Sequence, residues 1–146
     1  MYTDRRILFF PRNARMGQSE RPLSPHLQVY RPQLNSVMSI SHRLTGLFLG
    51  AGAVFMSVWL ISLAGGPTQY AAFQEITGSI LGKIILFLWT FSIFYHLCNG
   101  IRHLFWDSGH GYELNTAYVT GWVAIIVSLL LTAGLWLWIL VESTVI

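Results

Sequence analysis

His96 and His103 lie seven residues apart in a stretch that is otherwise largely apolar. On an α-helix that spacing is almost two full turns, so both imidazoles share one face, about 10.5 Å apart along the axis. Asn99, Arg102 and Asp107 fall in the same half of the stretch. His103 and Asp107 are four apart, the spacing at which helical side chains face each other. A second set, Ser39, Ser41, His42 and Arg43, sits where another apolar stretch begins. Ser39 and Arg43 are again four apart and share a face.

Ionisable groups inside an apolar span are costly and mark functional sites by default. An imidazole as deep as His96 needs a partner. One choice is a hydrogen bond to another helix; the other is a metal, and in a membrane bundle the fitting metal is haem iron. Gly100, four residues on, leaves room on that face for a flat macrocycle. His42, Arg43 and His103 stand where two anionic propionates need cationic or hydrogen-bonding partners. Spacing alone leaves the hydrogen-bonded and the haem-ligating readings both open. Zinc is the weaker metal, since there is no cysteine pair or HExxH and three histidines would have to converge from two helices. A proton relay through His103 and Asp107 fits their spacing. No Ser-His-Asp set, phosphate loop or nucleotide fingerprint appears, so hydrolase chemistry has no support. Cys98 is the only cysteine, which forbids an intrachain disulfide and leaves it a small structural residue.

The elements that carry these groups follow from composition. The chain of 146 residues is 53% hydrophobic and only 10% charged, against about 25% charged in soluble domains. Three apolar stretches, about 41–64, 78–106 and 118–141, each supply the ~20 helical residues that cross a hydrocarbon core. The sequence therefore predicts an all-α membrane protein of three transmembrane helices, about 36–64, 76–106 and 117–142. Residues 1–20 lack periodicity and read as a flexible arm, ahead of a membrane unit over 21–146.

Charge sets the orientation. Seven of the nine basic residues precede or open the first helix, and the connection 65–76 has none. The positive-inside rule then puts the N-terminus and the loop 107–117 inside. The arginines are scattered beside a membrane span, which argues against nucleic-acid binding. The N-terminus lacks the apolar core and cleavage site of a secretory signal, and Asp4 and Glu20 argue against a mitochondrial transit peptide, so a bacterial cytoplasmic membrane is favoured over a mitochondrial inner membrane.

Local signals complete the outline. Pro22, Pro25 and Pro32 forbid a continuous helix over 21–36. Asn35 or Ser36 suits the cap of helix one. Gly46/Gly50 and Gly78/Gly82 are GxxxG pairs that let helices approach closely. Gly65-Gly66-Pro67 reads as a breaker within a loop, and the stem of Lys83 can snorkel to the outer surface. Trp122, Trp136 and Trp138 suit interfacial positions on a helix with no ionisable group before Glu142, which therefore reads as scaffold.

Two segments carry a resemblance. RPLSPHLQVYRPQLNSVMSISHRLTG at 21–46 and HLCNGIRHLFWDSGHG at 96–111 resemble the signatures of the cytochrome b large membrane-anchor subunits of succinate dehydrogenase, respiratory complex II. The combination of SxSHRxTG with HxxxGxRHLxxD some fifty residues later is specific, and the three-helix layout fits from Arg21 onward. The resemblance implies one part of a larger heteromeric helix bundle. It implies His96 as axial ligand of haem b, with the second ligand from a small membrane-anchor subunit. It implies His42, Arg43 and His103 at the haem propionates, Ser39 and Arg43 at ubiquinone, and Asp107 near that site in proton delivery. His26 then reads as packing under the iron–sulfur subunit, and His110 has no role assigned. A flavoprotein subunit and the bilayer complete the implied partners, and the chain catalyses nothing alone. Two alternatives stay open: a quinol:fumarate reductase anchor, and a haem-free structural anchor. One deep histidine suits a single shared haem rather than two.

Overall fold

The computed structural model describes residues 31–145, with side chains described through Ser143. The arm over 1–20, most of the proline-rich segment and His26 lie outside the described residues. Four helices follow: α1 Leu34–Ala64, α2 Pro67–Gly78, α3 Ile80–Asp107 and α4 Leu114–Val145. Helices α1, α3 and α4 are long and apolar enough to cross a membrane. At 1.5 Å per residue each exceeds the ~30 Å hydrocarbon core.

Helix α3 packs against both α1 and α4, and α1 also touches α4. Little of each span is buried inside the chain, and large apolar side chains such as Leu47, Leu81 and Leu130 point outward. Such all-round hydrophobicity suits lipid or further helices as surroundings, not water. The helix contacts are made by small residues. On α4 the buried positions are Ala117, Gly121, Ala124, Ser128 and Thr132, spaced three or four apart as one stripe. Lipid gives helices no hydrophobic drive to associate, so close backbone approach and interhelical bonds must do it. A Cβ on Gly121 would lie 2.8 Å from Met38 Sδ, which shows how closely α4 meets α1. The buried hydroxyls of Ser128 and Thr132 donate to the carbonyls of Ala124 and Ser128 in their own helix, so the stripe leaves neither hydroxyl unbonded.

Several local expectations change. The loop expected over 65–76 is largely the helix α2. Gly66 adopts φ 94° and Pro67 takes the first helical position, where its missing N–H costs nothing. The Gly-Gly-Pro run thus ends one helix and starts the next. Ser79 is extended at φ −62°, ψ 159° and caps α3 by accepting from Gly82 N at 3.1 Å. Gly78 and Gly82 therefore lie on different helices and form no GxxxG face. Gly82 instead admits the turn itself, because a Cβ there would be 2.4 Å from Ile76 O. Helix α1 starts earlier than expected, with Gln33 as N-cap and no side-chain cap bond. Asn35 is not the cap because its carbonyl oxygen is taken by Arg102.

Candidate functional site

The start of α1 and the end of α3 meet at one end of the bundle. There the rings of His42 and His96 stack, with centroids 3.9 Å apart and planes 12° apart. His103 lies one layer on, 5.2 Å from His42 and edge-on to Trp106 at 5.1 Å. Three of the predicted residues thus form one imidazole cluster, half-buried between helices. Gly46 permits the approach, since a Cβ there would stand 3.0 Å from His96 Cε1. A Cβ on Gly50, its partner in the sequence pair, would meet nothing within 4 Å among the described residues, so among them only Gly46 of the pair serves helix contact.

The imidazoles are bonded unequally. His96 Nδ1 lies 3.2 Å from the His42 carbonyl oxygen and 3.2 Å from Thr45 Oγ1. A carbonyl only accepts, so a hydrogen bond between this pair requires the ring proton on His96 Nδ1, which leaves Nε2 to offer its lone pair. His42 Nδ1 is buried and has no partner among the described residues. Beside the cluster, a Cβ added to Gly100 would meet nothing within 4 Å among the described residues. The end of the bundle therefore combines a free ring nitrogen, an unpartnered buried ring nitrogen and open space.

The remaining predicted residues stand outside this cluster. Ser39 is half-buried and Arg43 exposed, and neither is engaged by another described residue. They share the face that the spacing foretold. Asp107 is exposed at the last position of α3. His103 faces His42 and Trp106 rather than Asp107.

Arg102, Thr45 and Tyr95 have roles in the structure that residue type and spacing do not reveal. Arg102 is only 7% exposed. Its Nη2 donates to Asn35 Oδ1 at 2.8 Å and Ala117 O at 2.7 Å, and its Nε to Thr120 Oγ1 at 3.1 Å. Nη1 reaches Asn99 Oδ1 at 3.5 Å, and the guanidinium lies 4.1 Å from the Trp106 ring centroid. One cation thus ties α1, α3 and α4 together with neutral acceptors. Tyr95 is buried, and its hydroxyl donates to Met38 O at 3.4 Å. The usable signal was the recurrence Asn99–Arg102 with Asn35 at the foot of the other helix, but nothing in the sequence says that these meet.

The turn into α4 is pinned from the same side. Trp106 Nε1 donates to Gly111 O at 3.0 Å, and Tyr112 OH donates to Trp106 O at 2.6 Å. Gly109 and Gly111 reverse the chain at φ 86° and 83°, values that side chains with a Cβ rarely adopt. A groove of about 510 Å³ runs between α3 and α4, lined by Cys98, Arg102, Trp106, Val123 and others. None of the three clustered histidines lines it.

A bundle of three apolar helices with a histidine cluster at one end defines a multi-pass membrane protein built around a polar site. Residues 17–140 match the family described as succinate dehydrogenase/fumarate reductase transmembrane subunit, and the chain belongs to that family. The resemblance carried by the two sequence signatures is therefore borne out. The chain is similar to the succinate dehydrogenase cytochrome b556 subunit of Rickettsia prowazekii, 42% identical over 118 residues, which cover 81% of this chain and 92% of that one. It is similar to the cytochrome b556 subunit of Paracoccus denitrificans at 43% identity, over 72% of this chain and 81% of that one. The human mitochondrial cytochrome b560 subunit is 37% identical, over 80% of this chain and 70% of its own length. The bacterial relatives are consistent with a cytoplasmic membrane.

Proposed function

We propose that the chain is the large membrane anchor of a succinate:ubiquinone oxidoreductase, that it binds haem b together with a small anchor subunit, and that it forms part of the ubiquinone-reduction site. The observation that carries this reading is the state of His96. Its Nδ1 edge faces a backbone carbonyl at 3.2 Å, which calls for the proton on that side, the arrangement that metal-ligating histidines adopt to present the other nitrogen. The unpartnered His42 Nδ1 and the open space beside Gly100 fit the same group.

His96 would hold the iron through Nε2, and His42, Arg43 and His103 would meet the propionates. Bound haem supplies a one-electron store beside the quinone pocket. Ser39 and Arg43 would donate to the quinone carbonyl oxygens, and the guanidinium charge favours the reduced oxyanion. Asp107 is exposed at the same end and would deliver protons from the inner aqueous side. That end faces inward by the positive-inside distribution of arginines. Electrons would arrive from an iron–sulfur subunit served by a flavoprotein; the names of the three relatives compared above, each a succinate dehydrogenase subunit, support that direction over fumarate reduction.

The test is a reduced-minus-oxidised spectrum of the assembled complex with the wild-type chain and with His96→Ala. A b-type band lost only in the variant is the expected result, and an unchanged band in His96→Ala removes the ligand assignment. In the same complex, Ser39→Ala and Arg43→Ala should lower quinone reduction by about 10²-fold, the usual cost of an oxyanion donor. Reduction of artificial dyes by the soluble subunits should persist. Normal quinone turnover in both variants sinks the pocket.

A further inference from the structure

We propose that Thr45 is the positioning residue for His96, sharing the Nδ1 proton of the ring and so setting the electron density at Nε2. The proposal rests on His96 being the haem ligand and adds a residue to which neither spacing nor similarity gives a role.

Three atoms form a closed triangle. Thr45 Oγ1 lies 2.9 Å from the His42 carbonyl oxygen, within its own helix. His96 Nδ1, from α3, lies 3.2 Å from that carbonyl and 3.2 Å from Thr45 Oγ1. Two protons are available for three contacts. The carbonyl has none to give. The hydroxyl has one, and at 2.9 Å it goes to the carbonyl, the common back-bond of a helical threonine. Were Nδ1 bare, it would face the carbonyl oxygen as acceptor against acceptor. The allocation that leaves no such clash puts the second proton on Nδ1, divided between the carbonyl and the lone pair of Thr45 Oγ1.

The ring is then held on several sides. The two acceptors fix the Nδ1 edge, His42 stacks on one face at 3.9 Å, and the absent side chain of Gly46 admits Cε1. Rotation of the ring by half a turn would break both Nδ1 contacts. A second acceptor on the N–H also makes the imidazole more electron-rich, which favours ferric over ferrous iron at Nε2. The competing role for Thr45 is the plain one: its hydroxyl satisfies itself on its own helix and does nothing for the ring. A potential separates the two roles, because back-bonding within α1 has no influence on the iron.

The experiment uses the assembled complex with Thr45→Val, which keeps the shape and deletes the hydroxyl, and Thr45→Ser, which restores it. His42 O still accepts from the ring in Thr45→Val, so the b-type band should remain. Its ferric-to-ferrous preference should fall by up to about tenfold, which for a one-electron couple raises the midpoint by about 59 mV. The low-spin EPR signal should shift with it. Thr45→Ser should restore both readings. A Thr45→Val complex with wild-type midpoint and EPR signal overturns the proposal. So does a Thr45→Ser complex as altered as Thr45→Val, since shape rather than the hydroxyl would then be acting. Failure of the underlying reading is read separately, from a band that survives His96→Ala or is missing in the wild type.

Discussion

The two ends of the bundle are held by different physics. At the end where α1 begins and α3 finishes, directional bonds dominate: Arg102 reaches Asn35, Asn99, Ala117 and Thr120, and His96 is tied to His42 and Thr45. At the end where α2 sits, rings and glycines dominate. Phe55 lies 5.2 Å from Phe73 and 6.1 Å from Trp89. Gly52 accommodates the Trp89 indole, whose Nε1 is buried without a partner. A hydrogen bond has an orientation and a length, so the first end is set to one register. Ring packing accepts small slides, so the second end needs only to close. Helices that must hold chemistry in place are tied by donors and acceptors; helices that must merely stay together are packed.

The largest break in that contrast should come from Arg102→Met. The variant keeps much of the stem's volume but leaves the acceptors on Asn35, Ala117 and Thr120, all on other helices, without their donor. At about 0.6 to 1.7 kcal/mol for each interhelical bond in a membrane protein, a loss of roughly 3 kcal/mol is expected. Thermal or detergent denaturation of the complex measures it, and a wild-type midpoint would mean that the guanidinium network contributes no net stability. A smaller and more local effect is expected of Gly46→Ala. The new methyl stands 3.0 Å from His96 Cε1, so the ring must shift by tenths of an ångström. The b-type spectrum should change while the melting point moves little. Gly50→Ala is the control, since nothing lies within 4 Å of it, and alanine is the better helix former by about 1 kcal/mol. Equal spectra for the two variants would remove Gly46 from the site. The smallest effect belongs to the other end. Phe73→Ala should loosen α2, seen as faster amide exchange over 67–78, while the histidine end keeps its spectrum. A spectral change there would show that the two ends are coupled.

Much of the outline was legible in the residues. Three spans were visible because hydrocarbon thickness demands about twenty apolar residues and the chain supplies three such runs. His42, His96 and His103 stand out because an imidazole in an apolar run is rare and costly. The helix α2 was not legible: Gly-Gly-Pro marks a break in either case, and a twelve-residue segment of mixed polarity has no decisive period. Asn35 and Ser36 both look like caps in the sequence, yet Gln33 is the N-cap, and the Asn35 oxygen that could cap accepts from a distant arginine instead.

The number of spans, their apolar character and the side chains able to carry chemistry depend only on residue type and on distances along one helix, and so are readable without the fold. That His42 stacks on His96, that Arg102 joins three helices and that His96 Nδ1 meets the His42 carbonyl emerges only when the helices pack. Each of those facts depends on how far one helix has slid and turned against another. That is set by Gly46, Gly121 and the buried acceptors acting together, across separations of 50 residues or more in the cases of Thr45–His96 and Asn35–Arg102.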